Sequence, residues 1–177
     1  RELRYLIDKW DAEYVYFSSD TFILFSDKEF EEFVEIYSEF KLPFWIQSRA
    51  ETITEYRIKK LKEIGCHRMS LGLEHGNEKF RKEVIKKPFD NETMIRASKL
   101  IADAGIPLSV NNIIGFPEET RELIFDTIEL NRKLTFDTTN AFPYAPFHGT
   151  DLHKVCLDKG YITNEFNPGS LNVDIPL

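Results

Sequence analysis

The sequence predicts an α/β protein built on parallel strands, and three observations predict it. Short runs rich in β-branched and aromatic residues alternate with longer amphipathic stretches along the whole chain, which is the pattern of repeated βα units. Two of the amphipathic stretches end on Gly65 and Gly105, where a helix wants a left-handed C-cap. No low-complexity linker interrupts the series, so residues 1–177 read as one domain.

The strand runs are YVYFS at 14–18, PFWIQS at 43–48, HRMSLGLE at 67–74, PLSVNNIIG at 107–115 and TTNAFPY at 138–144. Between the first two, Phe30, Phe33, Val34, Tyr37 and Phe40 recur at helical spacing, with Ser26 or Asp27 placed to cap the start. TEYRIKKLKEIG repeats the logic, with Thr54 as N-cap and Ile58, Leu61 and Ile64 inward. NETMIRASKLIADAG is a third helix, and TRELIFDTIELNRKL a fourth that carries Leu123, Ile124, Ile128 and Leu130. A doubly wound sheet and a barrel both satisfy this alternation. Either one places ligands at the C-terminal ends of the strands.

Composition narrows the setting. With 42% hydrophobic residues the chain can bury a real core, and a net charge of −7 argues against broad binding to a nucleic-acid backbone, so no such partner is expected. No apolar run approaches the roughly 20 residues of a membrane helix, and RELRYLIDKW lacks a signal-peptide core. Only Cys66 and Cys156 are present, far apart, so neither a disulfide framework nor a zinc site is signalled. A cytoplasmic protein is expected. The first residue is Arg and the last stretch is NVDIPL, so a fragment of a longer protein is also expected.

The strand ends carry the unusual residues. In HRMSLGLE, alternation puts Met69, Leu71 and Leu73 on one face and Ser70, Gly72 and Glu74 on the other. Small, small, acidic is a poor core but a suitable ligand wall, with Glu74 as a rim acceptor for hydroxyls or an ammonium. The plain alternative is a Glu74 that starts a loop in water. In PLSVNNIIG, Ser109, Asn111 and Ile113 share a face, setting an amide beside an apolar surface, or else the Asn pair only terminates the strand. Gln47 and Arg49 share a face, and Arg49 can clamp a carboxylate or form a surface salt bridge to Glu51. Ser18, Ser19 and Asp20 either touch a substrate or form an Asx-type turn, and His75 and His148 read as loop residues.

Taken in order, these strand ends resemble the radical S-adenosylmethionine superfamily, in the branch often accompanied by a cobalamin-binding domain. RMSLGLEHGNEKF resembles that family's fourth strand, whose Glu contacts the cofactor. IIGFPEET resembles the fifth-strand signature along the adenine and ribose, and YAPFHGTDL the sixth-strand exit. KKLKEIGCHRM also resembles the approach to strand four. The resemblance implies a partial (β/α)6 TIM-like barrel lacking its first βα unit, with a C-terminal extension beginning near the end. It also implies S-adenosylmethionine and a 4Fe–4S cluster as cofactors, a flavodoxin or ferredoxin as electron donor, and a small-molecule substrate that the sequence does not specify.

Carried over residue by residue, the resemblance gives Glu74 the methionine amino group or the ribose and Asn111 the ribose hydroxyls. Lys86 matches a basic position that pairs with the cofactor carboxylate, while Ile113 and the backbone around Tyr144 line the adenine. Gln47 and Arg49 are further cofactor-side candidates. The implied chemistry is reductive cleavage of S-adenosylmethionine to a 5′-deoxyadenosyl radical, with methyl transfer or cyclisation as outcomes. The Cys-x-x-x-Cys-x-x-Cys loop is absent, so the cluster ligands are expected upstream of Arg1 and the chain alone is expected to be inactive. Glu118 replaces the usual Gly and His148 the usual Pro. An aldolase or isomerase on a phosphorylated substrate, or a non-catalytic barrel scaffold, are the other readings.

Overall fold

The computed structural model describes residues 1–167. Strands β1 (Val15–Phe17), β2 (Phe44–Ser48), β3 (Cys66–Glu74), β4 (Leu108–Ile114) and β5 (Thr138–Pro143) form one sheet in chain order. All neighbours are parallel. A doubly wound sheet reverses its strand order at a switch point, whereas this one never does. Chain order throughout is the arrangement of a barrel wall, so the expected partial TIM-like barrel is what forms.

The helices are α1 (Glu2–Trp10), α2 (Asp27–Ser38), α3 (Glu55–Glu63), α4 (Glu78–Glu83), α5 (Asn91–Asp103), α6 (Arg121–Asn131) and α7 (Asp151–Asp158), with a 3-10 turn at Ala50–Thr52. Their starts are chemically explicit. Ser26 and Glu29 make a reciprocal capping box on α2, and Thr54, Asn77, Asp90, Thr120 and Thr150 each accept a first-turn N–H. Short helices α1, α4 and α7 add to the four that periodicity anticipates.

One face of the sheet makes the core. Ile46, Met69, Leu71, Leu73, Leu108 and Val110 are buried together with Ile58 and Leu61 of α3 and Met94, Ala97 and Ile101 of α5. Each such side chain contributes about 1.5–3 kcal/mol by leaving water. The three-residue β1 is held by rings, with Phe17 lying 4.5 Å from Phe22 and 5.8 Å from Phe44. In α6 the structure corrects the expected face. Thr127 and Leu130 are buried while Ile128 is exposed, because the Thr127 hydroxyl is turned inward to accept the Gly76 N–H at 2.8 Å.

Candidate functional site

The face turned away from the helices is polar, and its side chains pair across the strands. Trp45 donates through its indole N–H to Ser70 at 3.0 Å. Ser109 meets Thr138 at 2.7 Å, and the Asn140 amide donates to Asn111 Oδ1 at 3.1 Å. These contacts follow the register, in which Ser70, Ser109 and Thr138 form one row and Gly72, Asn111 and Asn140 the next. Asn112 points the other way, buried and bonded to Asn131 and Thr139, so the two asparagines have different work.

At the end of β3 the register against β4 shifts between Gly72 and Glu74, and Glu74 takes a left-handed backbone with φ 63°. That conformation is unusual for a residue with a side chain. It folds the carboxylate back over the strand, where a Cβ on Gly72 would overlap Glu74 Oε1 and come within 3.2 Å of Lys87 Nζ. Gly72 is therefore a space that the carboxylate fills. Lys87 donates to Glu74 Oε1 at 2.6 Å, with side chains only 15% (Glu74) and 26% (Lys87) exposed.

The basic residue beside Glu74 is thus Lys87, one position after the Lys86 expected at a cofactor carboxylate. Lys86 has φ 62° and is exposed; this left-handed turn directs the next side chain, not its own, back toward Glu74. Tyr144, following β5, donates its N–H to the Ile114 carbonyl at 2.7 Å and sets its ring 4.9 Å from Phe116. Glu74, Asn111, Ile113 and Tyr144 therefore gather at one end of the sheet. Gln47 stands two residues nearer the other end, in register with Ser70, and donates to the Tyr16 hydroxyl. Arg49 pairs with Glu51, as its plain alternative anticipated.

Beneath the rim lies a buried network that sequence reasoning missed. His75, expected as a loop residue, is fully buried. Its Nδ1 accepts the Asn77 N–H at 3.0 Å, and Nε2 lies 3.0 Å from Glu119 Oε1 without the N–H alignment of a full hydrogen bond. Burial pushes the His75 pKa down, and the Glu119 carboxylate partly opposes this. Glu119 Oε2 accepts the N–H groups of Gly115 and Phe116, so one carboxylate ties the β3 and β4 exits together. The capping-like spacing of Gly115 to Glu119 was the available signal. A cleft of about 760 Å³ between the starts of α2 and α3 is a different place, and its Arg57 is occupied by the carbonyls of Ile23 and Phe25.

The family model described as the Radical SAM superfamily matches residues 1–130, nearly three-quarters of the chain. The chain belongs to the Radical SAM superfamily. Membership sets aside an aldolase or isomerase of another barrel family. An uncharacterized methyltransferase of Pyrococcus horikoshii is 31% identical over 152 residues, covering 85% of this chain and 33% of that protein. The tRNA-2-methylthio-N(6)-dimethylallyladenosine synthase of Anoxybacillus flavithermus is 31% identical over 87 residues, covering 48% of this chain and 16% of that one. The radical SAM chain thus spans about a third or less of these relatives.

Among solved structures, the radical S-adenosylmethionine methyltransferase TsrM of Kitasatospora setae superposes with a TM-score of 0.69 at 16% identity, over 80% of this chain and 28% of that one. Coproporphyrinogen III oxidase of Escherichia coli gives 0.67 at 18%, over 77% and 32%. These likenesses show the fold. The family's cofactors are S-adenosylmethionine and a 4Fe–4S cluster, and the residues fit them unequally. An acid and a base side by side over a glycine suit the zwitterionic end of an amino acid. The thiols do not suit a cluster. Cys66 and Cys156 are both buried, burial pushes the Cys66 thiol up to about 12, and no group of three or more metal-ligating side chains occurs among the described residues. Among those residues no helix is long and apolar enough to cross a membrane.

Proposed function

We propose that this chain is the cofactor-holding wall of a radical S-adenosylmethionine methyltransferase, whose cluster thiolates lie outside these residues. The observation that carries the reading is the Glu74–Lys87 pair over Gly72, beside the Asn111–Asn140 amides. When bound, the cofactor supplies a 5′-deoxyadenosyl radical on one-electron reduction by a flavodoxin- or ferredoxin-type donor. Glu74 takes the ammonium and Lys87 the carboxylate of its methionine end, each through a charge-assisted hydrogen bond. Asn111 orients the ribose hydroxyls, with Asn140 holding the amide in place. Ile113 and the backbone at Tyr144 shelter the adenine from water. Gln47, bonded to Tyr16, and Arg49, paired with Glu51, complete the proposed cofactor side.

Methyl transfer is favoured over cyclisation by the 31% identity to a methyltransferase across 85% of this chain. A separate cobalamin-binding domain and a cytoplasmic setting complete the proposal. The test uses the full-length protein, loaded with its cluster anaerobically and reduced with dithionite. Release of 5′-deoxyadenosine and methionine from S-adenosylmethionine is expected, and its absence rejects the radical reading. Cofactor carrying a deuterated methyl group should pass that label to the product. A modified product without label rejects methyl transfer alone.

A further inference from the structure

Arg81 is the largest fully buried side chain in the described protein, and it has no acidic partner within ion-pair distance. Its guanidinium instead holds neutral acceptors. Nη1 donates to the His75 carbonyl at 2.5 Å, and Nη2 donates to the Phe89 carbonyl at 2.9 Å and to Asn91 Oδ1 at 2.8 Å. The group lies 4.4 Å from the Phe89 ring centre, and its Nε has no partner. Glu78 and Asp90 favour the charge only from beyond contact, and burial disfavours it more strongly, so packing an apolar chain of similar volume would cost less. Stability by itself would therefore favour Met or Leu here. What an apolar residue lacks is the fork.

The two ends of that fork meet particular places. The His75 carbonyl is the one immediately after Glu74, and the Phe89 carbonyl is two residues after Lys87. The backbone joins in, since the Lys87 N–H donates to the carbonyl of Arg81 itself at 3.0 Å. One residue thereby spans both segments that carry the charge pair. A guanidinium is suited to this because its donors are planar and fixed relative to one another, which an ammonium cannot match.

We infer that Arg81 is a positioning residue that sets the separation of Glu74 and Lys87, and so the affinity for the amino-acid end of a bound nucleoside. The inference rests on the reading of that pair proposed above. It requires Arg81 to act through the pair and not through general integrity of the barrel. Two ligands separate these effects. S-adenosylmethionine carries the amino-acid group, while 5′-methylthioadenosine has the same nucleoside without it.

The experiment measures binding of both ligands by calorimetry to the full-length, cluster-loaded protein and to the Glu74→Gln, Arg81→Met, Arg81→Lys and Glu74→Gln/Arg81→Met variants. Arg81→Met should lose about tenfold in affinity for S-adenosylmethionine, the scale of one charge-assisted hydrogen bond, and leave 5′-methylthioadenosine binding unchanged. In the Glu74→Gln background the same change should cost almost nothing, because coupled residues are not additive. Equal weakening of both ligands, or additive losses in the double variant, overturns the positioning role. If Arg81→Met does not fold, Arg81→Lys is read by the same two-ligand comparison, and an unchanged ratio overturns the role. A Glu74→Gln protein that binds S-adenosylmethionine like wild type overturns instead the reading of the pair.

Discussion

Glu119 and His75 meet in the interior, 3.0 Å apart, with side chains 1% and 0% exposed. Burial pushes the imidazole pKa down, and the carboxylate accepts the backbone N–H groups of Gly115 and Phe116. This contact closes the β3 exit against the β4 exit, and every residue of the rim stands on one of the two or on a neighbour.

A pH dependence follows with a definite sign. Because the folded pKa of His75 lies below its ordinary value, the unfolded chain binds the proton more tightly, and stability is lost as pH falls below about 6.5. Urea denaturation at pH 7.5 and 5.5 should show a drop that His75→Gln reduces. An identical drop in the variant would remove His75 as its source. At pH 7.5, Glu119→Ala should cost about 1–3 kcal/mol, the scale for leaving buried hydrogen-bonding groups unsatisfied, read as a shift of the urea midpoint.

Two glycines should behave in opposite ways. A Cβ on Gly72 meets first the tip of Glu74 and the Lys87 ammonium, whereas a Cβ on Gly76 meets the main chain of Asp126 and Thr127. Gly72→Ala should keep the fold, with a change within about 1 kcal/mol, the backbone scale for this exchange, but weaken S-adenosylmethionine binding by displacing the carboxylate. Gly76→Ala should destabilise by about 1–3 kcal/mol or more through overpacking. Thermal melts and calorimetry on both variants decide it, and a Gly72→Ala protein with native affinity would contradict the carboxylate's role.

Neighbouring lysines provide a sharper check on the rim. In the full-length, cluster-loaded protein, Glu74→Ala should cost about 1.5–3 kcal/mol of cofactor binding, one charge-assisted hydrogen bond, and Lys87→Met a similar amount. Lys86→Met and the exposed Glu122→Ala should leave affinity unchanged, and Asn111→Ala should fall between. Should Lys86→Met prove the damaging change, the 2.6 Å contact of Lys87 with Glu74 is not the one the cofactor uses.

The isolated 177-residue chain should remain colourless after anaerobic reconstitution with iron and sulfide. Two cysteines cannot supply three thiolates, and both are buried with raised pKa, when a ligand must be an accessible thiolate. The full-length protein should develop the broad absorption of a 4Fe–4S cluster. Such a spectrum from the chain alone would refute the ligand count.

The sequence by itself determined the elements and one property of the site. Helix caps at Ser26, Thr54 and Thr120 act within three residues, and the period-two alternation that separates Met69, Leu71 and Leu73 from Ser70 and Gly72 is local geometry. The same alternation put Gly72 and Asn111 on one face, because parallel neighbours in register share a face. The resemblance of three strand-end motifs added the family. Only the tertiary structure decided the partners. Lys87 meets Glu74 just after a left-handed turn at residue 86, and nothing in the run KKPF encodes that. His75 with Glu119, Arg81 with Phe89 and Asn111 with Asn140 are joined across loops or strands. Ile128 yields its inward place to Thr127 for the same reason. A buried polar atom takes whichever partner the packed fold brings within reach, and that choice is made between segments, where periodicity carries no signal.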